Sequence, residues 1–355
     1  VTASQGHAQA QWEPDVLPGY RQLTVPLGPD PDGEGDLVAT LVRREQAPEQ
    51  APDRSRAVLL VHGFTDYFFH TELADRFAAR GIAVHAVDLP KCGRSWRDGQ
   101  TPHFTTDLAR YDVALQAALD HVDAAEVLVY GHSAGGLVVT LWLDRLRRRG
   151  RPASADRDGG ATGRITGLVL NSPWFDLHGP AILRSAPTSM ALRALARLRT
   201  TQVIRRPTGQ GGYGTTLHRD YAGEFDYNLD WKPVGGFPVT FGWINAIRRA
   251  QARLHRGLDV GVPSLILRSG HSVPESGDPD AIQRGDAVLD VAQIARWAGC
   301  VGNRTTIVPI TDAKHDVFLS LAGPRAEAYR ELDAWLTWHL DQLDHRNRSI
   351  TTQSG

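Results

Sequence analysis

Short apolar runs alternate with stretches whose apolar residues recur at helical spacing, and this alternation organises most of the chain. Val58–Val61, Ile82–Leu89, Val127–Tyr130, Ile165–Leu170, Ser264–Arg268 and Thr305–Ile310 read as strands. Thr71–Arg80, Thr106–Val122, the run from near Ala134 to about Arg149, Val288–Ala298 and Arg325–Leu343 read as the helices between and after them. Buried strands written as continuous apolar runs, each followed by a helix, predict an α/β fold: a mostly parallel central sheet covered by helices on both faces. Ahead of it, Tyr20–Leu27 and Leu37–Arg43 flank a Gly- and Pro-rich turn and predict an antiparallel hairpin. The stretch before Tyr20 reads as an irregular arm, Ala47–Arg56 as a polar linker, Gly150–Gly163 as an exposed loop and 344–355 as a frayed tail.

Between about 179 and 257 the strand pattern stops. An Arg-, Ala- and Leu-rich helical stretch (Ala181–Arg206), a Gly-, Tyr- and Trp-rich segment (Gly209–Gly242) and a further helix (Trp243–Arg256) follow one another. This predicts a mainly helical cap, 179–257, inserted into a core made of 1–178 and 258–355.

Composition narrows the picture. With 355 residues, 41% hydrophobic and 22% charged, the chain can bury a large core. A net charge of -1 gives no argument for a nucleic-acid partner. No apolar run reaches transmembrane length, so no integral membrane segment is expected. Two cysteines, Cys92 and Cys300, are too few for a disulfide framework. With no basic-then-apolar leader in Val1–His7, the expectation is a cytoplasmic protein.

The candidate chemistry sits where a parallel sheet puts its ligands, just past the carboxyl ends of strands. Gly131-His132-Ser133-Ala134-Gly135 is a G-x-S-x-G pattern with a strand before it and a helix after it. Gly131 and Gly135 leave room for a tight turn, and Ser133 is the candidate nucleophile. A serine hydroxyl needs a base to take its proton. His315, between the last strand and the last helix, fits that part. A carboxylate must orient the imidazole. Asp286 is preferred, with Asp278, Asp280, Asp290 and Asp176 as alternatives; Asp286 could equally be a helix N-cap. The oxyanion would be met by the backbone N–H groups of Phe64 and Ala134. His62, Tyr67 and Trp174 are candidate pocket walls, although the aromatic run Tyr67–Phe69 could simply be core. His70 and His132 read as structural. The arginines of 184–256 read as a solvated face or as a hint of an anionic substrate.

These motifs resemble the α/β-hydrolase superfamily, in particular its monoacylglycerol lipase, lysophospholipase and serine aminopeptidase S33-like branch. The resemblance rests on Leu59–Phe64, Val87–Pro90 with Gly93–Ser95, Gly131–Gly136 and Lys314–Asp316. It implies the α/β-hydrolase fold, with Ser133 as nucleophile, His315 as base, and Phe64 and Ala134 as oxyanion donors. It also implies Asp286 as acid, through an Asp-x-Val-Leu signature at Asp286–Leu289. The chain departs from the pattern by extra residues, about Ser272–Gly285, between strand and signature.

The leading expectation is a serine hydrolase of carboxylic esters. It would work through a Ser-His-Asp triad and an acyl-enzyme, on a small-molecule acyl ester, with no cofactor and no metal. The branch implies lysophospholipid- or monoacylglycerol-like substrates. The same triad could serve an acyltransferase or an amidase, and a non-catalytic binding protein on a hydrolase scaffold is the alternative of another class.

Overall fold

The computed structural model describes residues 11–45, 55–150, 161–177, 186–206 and 212–353. Most of the expected linker, the 151–160 stretch, and parts of the expected arm and cap lie outside these residues. Two antiparallel strands, β2 (Tyr20–Pro29) and β3 (Asp36–Arg44), form the expected hairpin, and β1 (Glu13–Pro14) pairs onto β2. The alternation then runs β4 (Arg56–Val61), α1 (Thr71–Ala78), β5 (Ala83–Asp88), α2 (Asp112–Asp120), β6 (Glu126–His132), α3 (Ser133–Arg149), α4 (Ala161–Arg164) and β7 (Ile165–Asn171). The inserted stretch holds α5 (Ala186–Leu198), β8 (Val203–Arg205), β9 (Val239–Thr240) and α6 (Phe241–Leu254). After it come β10 (Ser264–Ser269), α7 (Pro279–Ile282), α8 (Val291–Trp297), β11 (Thr305–Ile310) and α9 (Ala322–Gln353).

Among the described residues nine strands make one sheet in the order β1-β2-β3-β5-β4-β6-β7-β10-β11, parallel from β5 to β11. The mini-sheet of β8 and β9 is separate from it. Side chains alternate along a strand, and the central strands use both sides. Ala57, Leu59 and Val61 of β4, with Val127 and Val129 of β6, face a core shared with α2, α3 and α6. Val58 and Leu60, with Leu128 and Tyr130, face a second core closed by α1 and α9. That double burial is why these strands read as unbroken apolar runs. From β4 the chain moves to one side, to β5, and then returns to place β6 on the other side. The crevice past the ends of β4 and β6 is therefore a topological switch point, where such sheets bind ligands.

Three expectations need correction. The helical stretch expected over Ala181–Arg206 ends at Leu198, and Val203–Arg205 pairs with β9 as a strand instead. The helix expected over Thr106–Val122 begins late: a 3-10 turn, Leu108–Tyr111, precedes α2. The backbone N–H and the hydroxyl of Thr106 donate to Asp32 in the β2–β3 turn, and the Asp107 carboxylate accepts from the Ala109 N–H, so tertiary bonds hold the first residues out of the helix. The tail expected to fray continues α9 to Gln353. Asp344 pairs with Arg56, and Asn347 donates to Glu126 at 3.0 Å, which anchors the helix to the edge of β4 and β6. Among the described residues no helix is long and apolar enough to cross a membrane.

Candidate active site

The turn from β6 into α3 is strained at one residue. Ser133 has a φ of 52°. That left-handed conformation costs a non-glycine residue about 1–2 kcal/mol. The glycines around it allow the close approach this turn demands. A Cβ at Gly135 would lie 2.1 Å from the His62 carbonyl oxygen, and one at Gly131 would lie 2.8 Å from Gly136 Cα. The main chain is pinned as well, because the Ser133 carbonyl accepts from the Trp174 N–H at 3.0 Å. Ala134 follows as the second residue of α3, where helical N–H groups have no partner in the helix.

His315 lies past β11, buried, and its Nδ1 is 2.9 Å from Asp286 Oδ2. Asp286 is fully buried. Its other oxygen, Oδ1, accepts from the N–H groups of Val288 at 2.8 Å and Leu289 at 2.7 Å. The extra residues after β10 do not carry Asp286 away, because the excursion closes on itself. The Asp286 N–H donates to the His271 carbonyl at 3.0 Å, and the Val273 N–H donates back to the Asp286 carbonyl at 2.9 Å. Asp286 is thus a bridge partner of Ser272 beside the strand end. The other carboxylates are occupied elsewhere or exposed. Asp278 caps α7, Asp290 caps α8 through the Ala292 N–H, Asp280 is exposed, and Asp176 accepts from Trp297 Nε1. The helix expected from Val288 accordingly starts at Val291, with Asp290 and not Asp286 as its cap.

The loop after β4 carries Gly63, Phe64, Thr65 and Asp66. Phe64 packs against Trp243 with ring centroids 4.0 Å apart and the planes tilted by 36°, and Trp243 lies 5.5 Å from Trp174, so these rings form one wall. Of the expected pocket residues, Trp174 lines the cleft that Ser133 opens into, whereas His62 and Tyr67 do not. His62 is used up in the backbone: its Nε2 accepts from the Leu89 N–H at 3.0 Å, and Nδ1 faces the Gly63 carbonyl at 2.8 Å. The Tyr67 hydroxyl accepts from the Asn228 N–H at 2.7 Å, and its ring packs on Phe69 and Trp231. Backbone anchoring removes the first from the cleft and aromatic packing removes the second.

Six contacts of the sequence-distant segment 212–237 with these loops had no local signal. Lys232 Nζ lies 2.8 Å from Asp66 Oδ1 and donates to the Thr65 carbonyl, while the Phe237 N–H donates to Thr65 Oγ1 at 3.0 Å. Tyr213 sets its ring edge-on to His315 at 5.6 Å, and its hydroxyl accepts from the Asp316 N–H. Lys314 Nζ donates to the Thr216 carbonyl at 2.7 Å, and burial brings its ammonium down to about 8.

A second buried polar group stands behind His315. Asp316 accepts from Asn171 Nδ2 at 2.7 Å and from the Phe318 N–H at 3.0 Å, and its Oδ2 faces His70 Nε2 at 2.9 Å. Burial alone would raise this carboxyl. The histidines His132 and His70 and these hydrogen bonds outweigh it and hold it well below the usual range. The remaining neighbour, His132, is pushed down to about 4, first by burial and then by the charge of His315, against the raising effect of Asp316. It is therefore neutral near pH 7. The unfolded chain takes up this proton near pH 6.5 and the folded one only near 4, so stability is full above 6.5 and falls as pH drops towards 4. His85 and His339 are held down to about 4 as well and add to that fall, so the test is a difference: in urea unfolding His132→Asn should lose on the order of 3 kcal/mol less across that interval than the wild type. Equal slopes would mean that His132 is not among the groups responsible.

Ser133, His132, His315, Phe64, Trp174 and Lys232 all line one cleft of about 200 Å³ at the switch point. Neither the Ser133 hydroxyl nor His315 Nε2 has a hydrogen-bond partner among the described residues. A doubly wound sheet, a strained serine turn and a buried histidine–carboxylate pair, all at the carboxyl ends of the strands, define a hydrolase scaffold of the α/β class. The chain belongs to the alpha/beta hydrolase family, whose sequence profile matches residues 58–337. No curated protein matches it by sequence. Among solved structures it is similar to a monoacylglycerol lipase of Paleococcus ferrophilus, at 18% identity and TM-score 0.57 over 81% of this chain and 96% of that one. It is similar also to a soluble variant of the Saccharomyces cerevisiae monoglyceride lipase in complex with a substrate analogue, at 16% identity and TM-score 0.56 over 93% and 95%. A third is a hydrolase-like protein of Agrobacterium vitis, at 16% identity and TM-score 0.53 over 89% and 98%. At these identities the likeness is one of fold.

Proposed function

We propose that the protein hydrolyses carboxylic esters of small molecules, with Ser133 as nucleophile, His315 as base and Asp286 as the carboxylate that orients it. The observation that carries this reading is the 2.9 Å contact between His315 Nδ1 and Asp286 Oδ2, on a loop that lines the same cleft as the strained Ser133. Ser133 Oγ attacks the ester carbonyl carbon as its proton passes to His315 Nε2. The oxyanion accepts from the N–H groups of Phe64 and Ala134. Collapse of the intermediate breaks the bond to the alcohol, which leaves with the proton held by His315. Water, deprotonated by the same imidazole, then attacks the acyl-enzyme and releases the acid. The acyl group lies against the wall of Phe64, Trp243 and Trp174. Residues 179–257 act as the cap over the strand ends, and no cofactor takes part in these steps. The lipases among the structural neighbours are consistent with an ester substrate.

The test is intact-mass analysis after incubation with a fluorophosphonate, which forms an Oγ–P bond and expels fluoride. One adduct, mapped to Ser133, is expected. An adduct on another residue, or none together with no turnover of short-chain esters, overturns the proposal.

A further inference from the structure

The strongest feature outside the cleft is the outer face of α5 and β8. Among the described residues, five of the ten large apolar side chains that stay exposed lie there together: Met190 is 70% exposed, Leu195 41% and Leu198 82%, with Val203 and Ile204 next along the chain at 40% and 42%. At helical spacing Met190, Ala194, Leu195 and Leu198 form one outward stripe. Arg193 and Arg197 border it on one flank, and Arg199 on the other. Ala196, on the opposite side, is buried. An exposed apolar band edged by arginines is the pattern of a helix that lies in a water–lipid interface, with its charges reaching to the headgroups.

Charge says which surface it suits. From residue 186 to 206 the chain carries Arg193, Arg197, Arg199, Arg205 and Arg206 and no aspartate or glutamate, although the chain as a whole has 39 basic and 40 acidic residues; of these five, Arg205 is paired with Glu275 across the cleft mouth. Arg193, Arg197 and Arg256 have no acidic partner among the described residues, and they line a groove of about 700 Å³ between α5 and α6. The patch leads to the cleft, because Arg205 and Arg206 at the end of β8 line its mouth. A second copy of this chain would set arginine against arginine across a two-fold axis. A soluble polyanion would leave Met190 and Leu198 with nothing to bury them.

We infer that α5 and β8 form a docking surface for anionic phospholipid bilayers, which holds the cleft mouth at the lipid interface. The inference stands on exposure and charge, apart from the catalytic reading. Its test reads binding and not hydrolysis, so either can fail without the other.

The experiment is flotation of the full-length protein with phosphatidylcholine vesicles, with and without phosphatidylglycerol. Binding to the anionic vesicles only is expected, weakening as salt screens the arginines. Arg193→Gln should weaken it roughly fivefold, and Met190→Ser with Leu198→Ser roughly tenfold or more. The double serine variant, whose residues lie outside the cleft, should keep the circular dichroism and thermal midpoint of the wild type, which shows that it is folded. The inference fails if the wild type does not float with anionic vesicles, or if both variants float like the wild type. It fails too if light scattering shows a dimer that the serine variant splits, since the face would then belong to a second copy.

Discussion

Asp286→Asn should lower kcat for ester cleavage by about 10⁴-fold and leave the fold intact. The surroundings of Asp286 make the asparagine adopt one orientation. Oδ1 already accepts from the Val288 and Leu289 N–H groups, so the amide oxygen will take that place. The amide NH₂ then faces His315 Nδ1, where the carboxylate oxygen stood at 2.9 Å. A donor opposite Nδ1 requires that nitrogen to be the acceptor. The proton moves to Nε2, and the imidazole can no longer take one from Ser133. The lost charge also leaves the imidazolium of the transition state unsupported in a buried site. Asp290→Asn is the control: its carboxylate caps the Ala292 N–H at the start of α8, and asparagine caps as well as aspartate does. Steady-state rates of the two variants on one activated ester decide the matter. Asp286→Asn within tenfold of the wild type would remove Asp286 from the mechanism.

Asp286 also marks how far the sequence could be read. The alternation of apolar runs and helices, the turn at Ser133 and the position of His315 past β11 are local in sequence and show as spacing. The choice among five carboxylates is not local. It depends on the stretch after Ser272 folding back so that His271 and Val273 bond to Asp286, and no spacing rule predicts that closure. Asp286 and Asp290 both open an apolar run, and both accept from the backbone N–H two residues on; only the contact of Asp286 with His315 separates them. The late start of α2 and the long α9 have the same origin: Asp32 and Glu126, far away in the chain, supply hydrogen bonds that outweigh local propensity. Tyr67 was ambiguous between pocket and core for a related reason. Its ring position is decided by Trp231 and Asn228, which lie in an inserted segment without a pattern of its own.

That segment makes Lys232→Met the other substitution with a large expected effect, a loss of about 3–5 kcal/mol of stability. Asp66 is fully buried, and burial by itself would raise its carboxyl. The Lys232 charge, with smaller help from His70, His132 and His62, instead holds it well below the usual range. Its Oδ2 has no hydrogen-bond partner, so the ion pair through Oδ1 is the main compensation for a buried charge. Methionine fills the space of the lysine stem and supplies no charge, and Asp66 must then ionise unpaired or take up a proton. The reverse change, Asp66→Asn, is milder, because Lys232 lies at the cleft and its ammonium can turn to water. The double variant Lys232→Met with Asp66→Asn should recover most of the loss, since no charge is left buried; urea midpoints of the four proteins give the coupling directly. A double variant as unstable as Lys232→Met would place the cost in packing and not in the charge. The rate adds a second readout. Lys232 Nζ also holds the Thr65 carbonyl, next to the Phe64 N–H proposed to meet the oxyanion. If that donor is set by the clamp, the double variant recovers stability but not kcat, because neither replacement restores the bond to Thr65. Full recovery of both would free the oxyanion loop from any dependence on the cap.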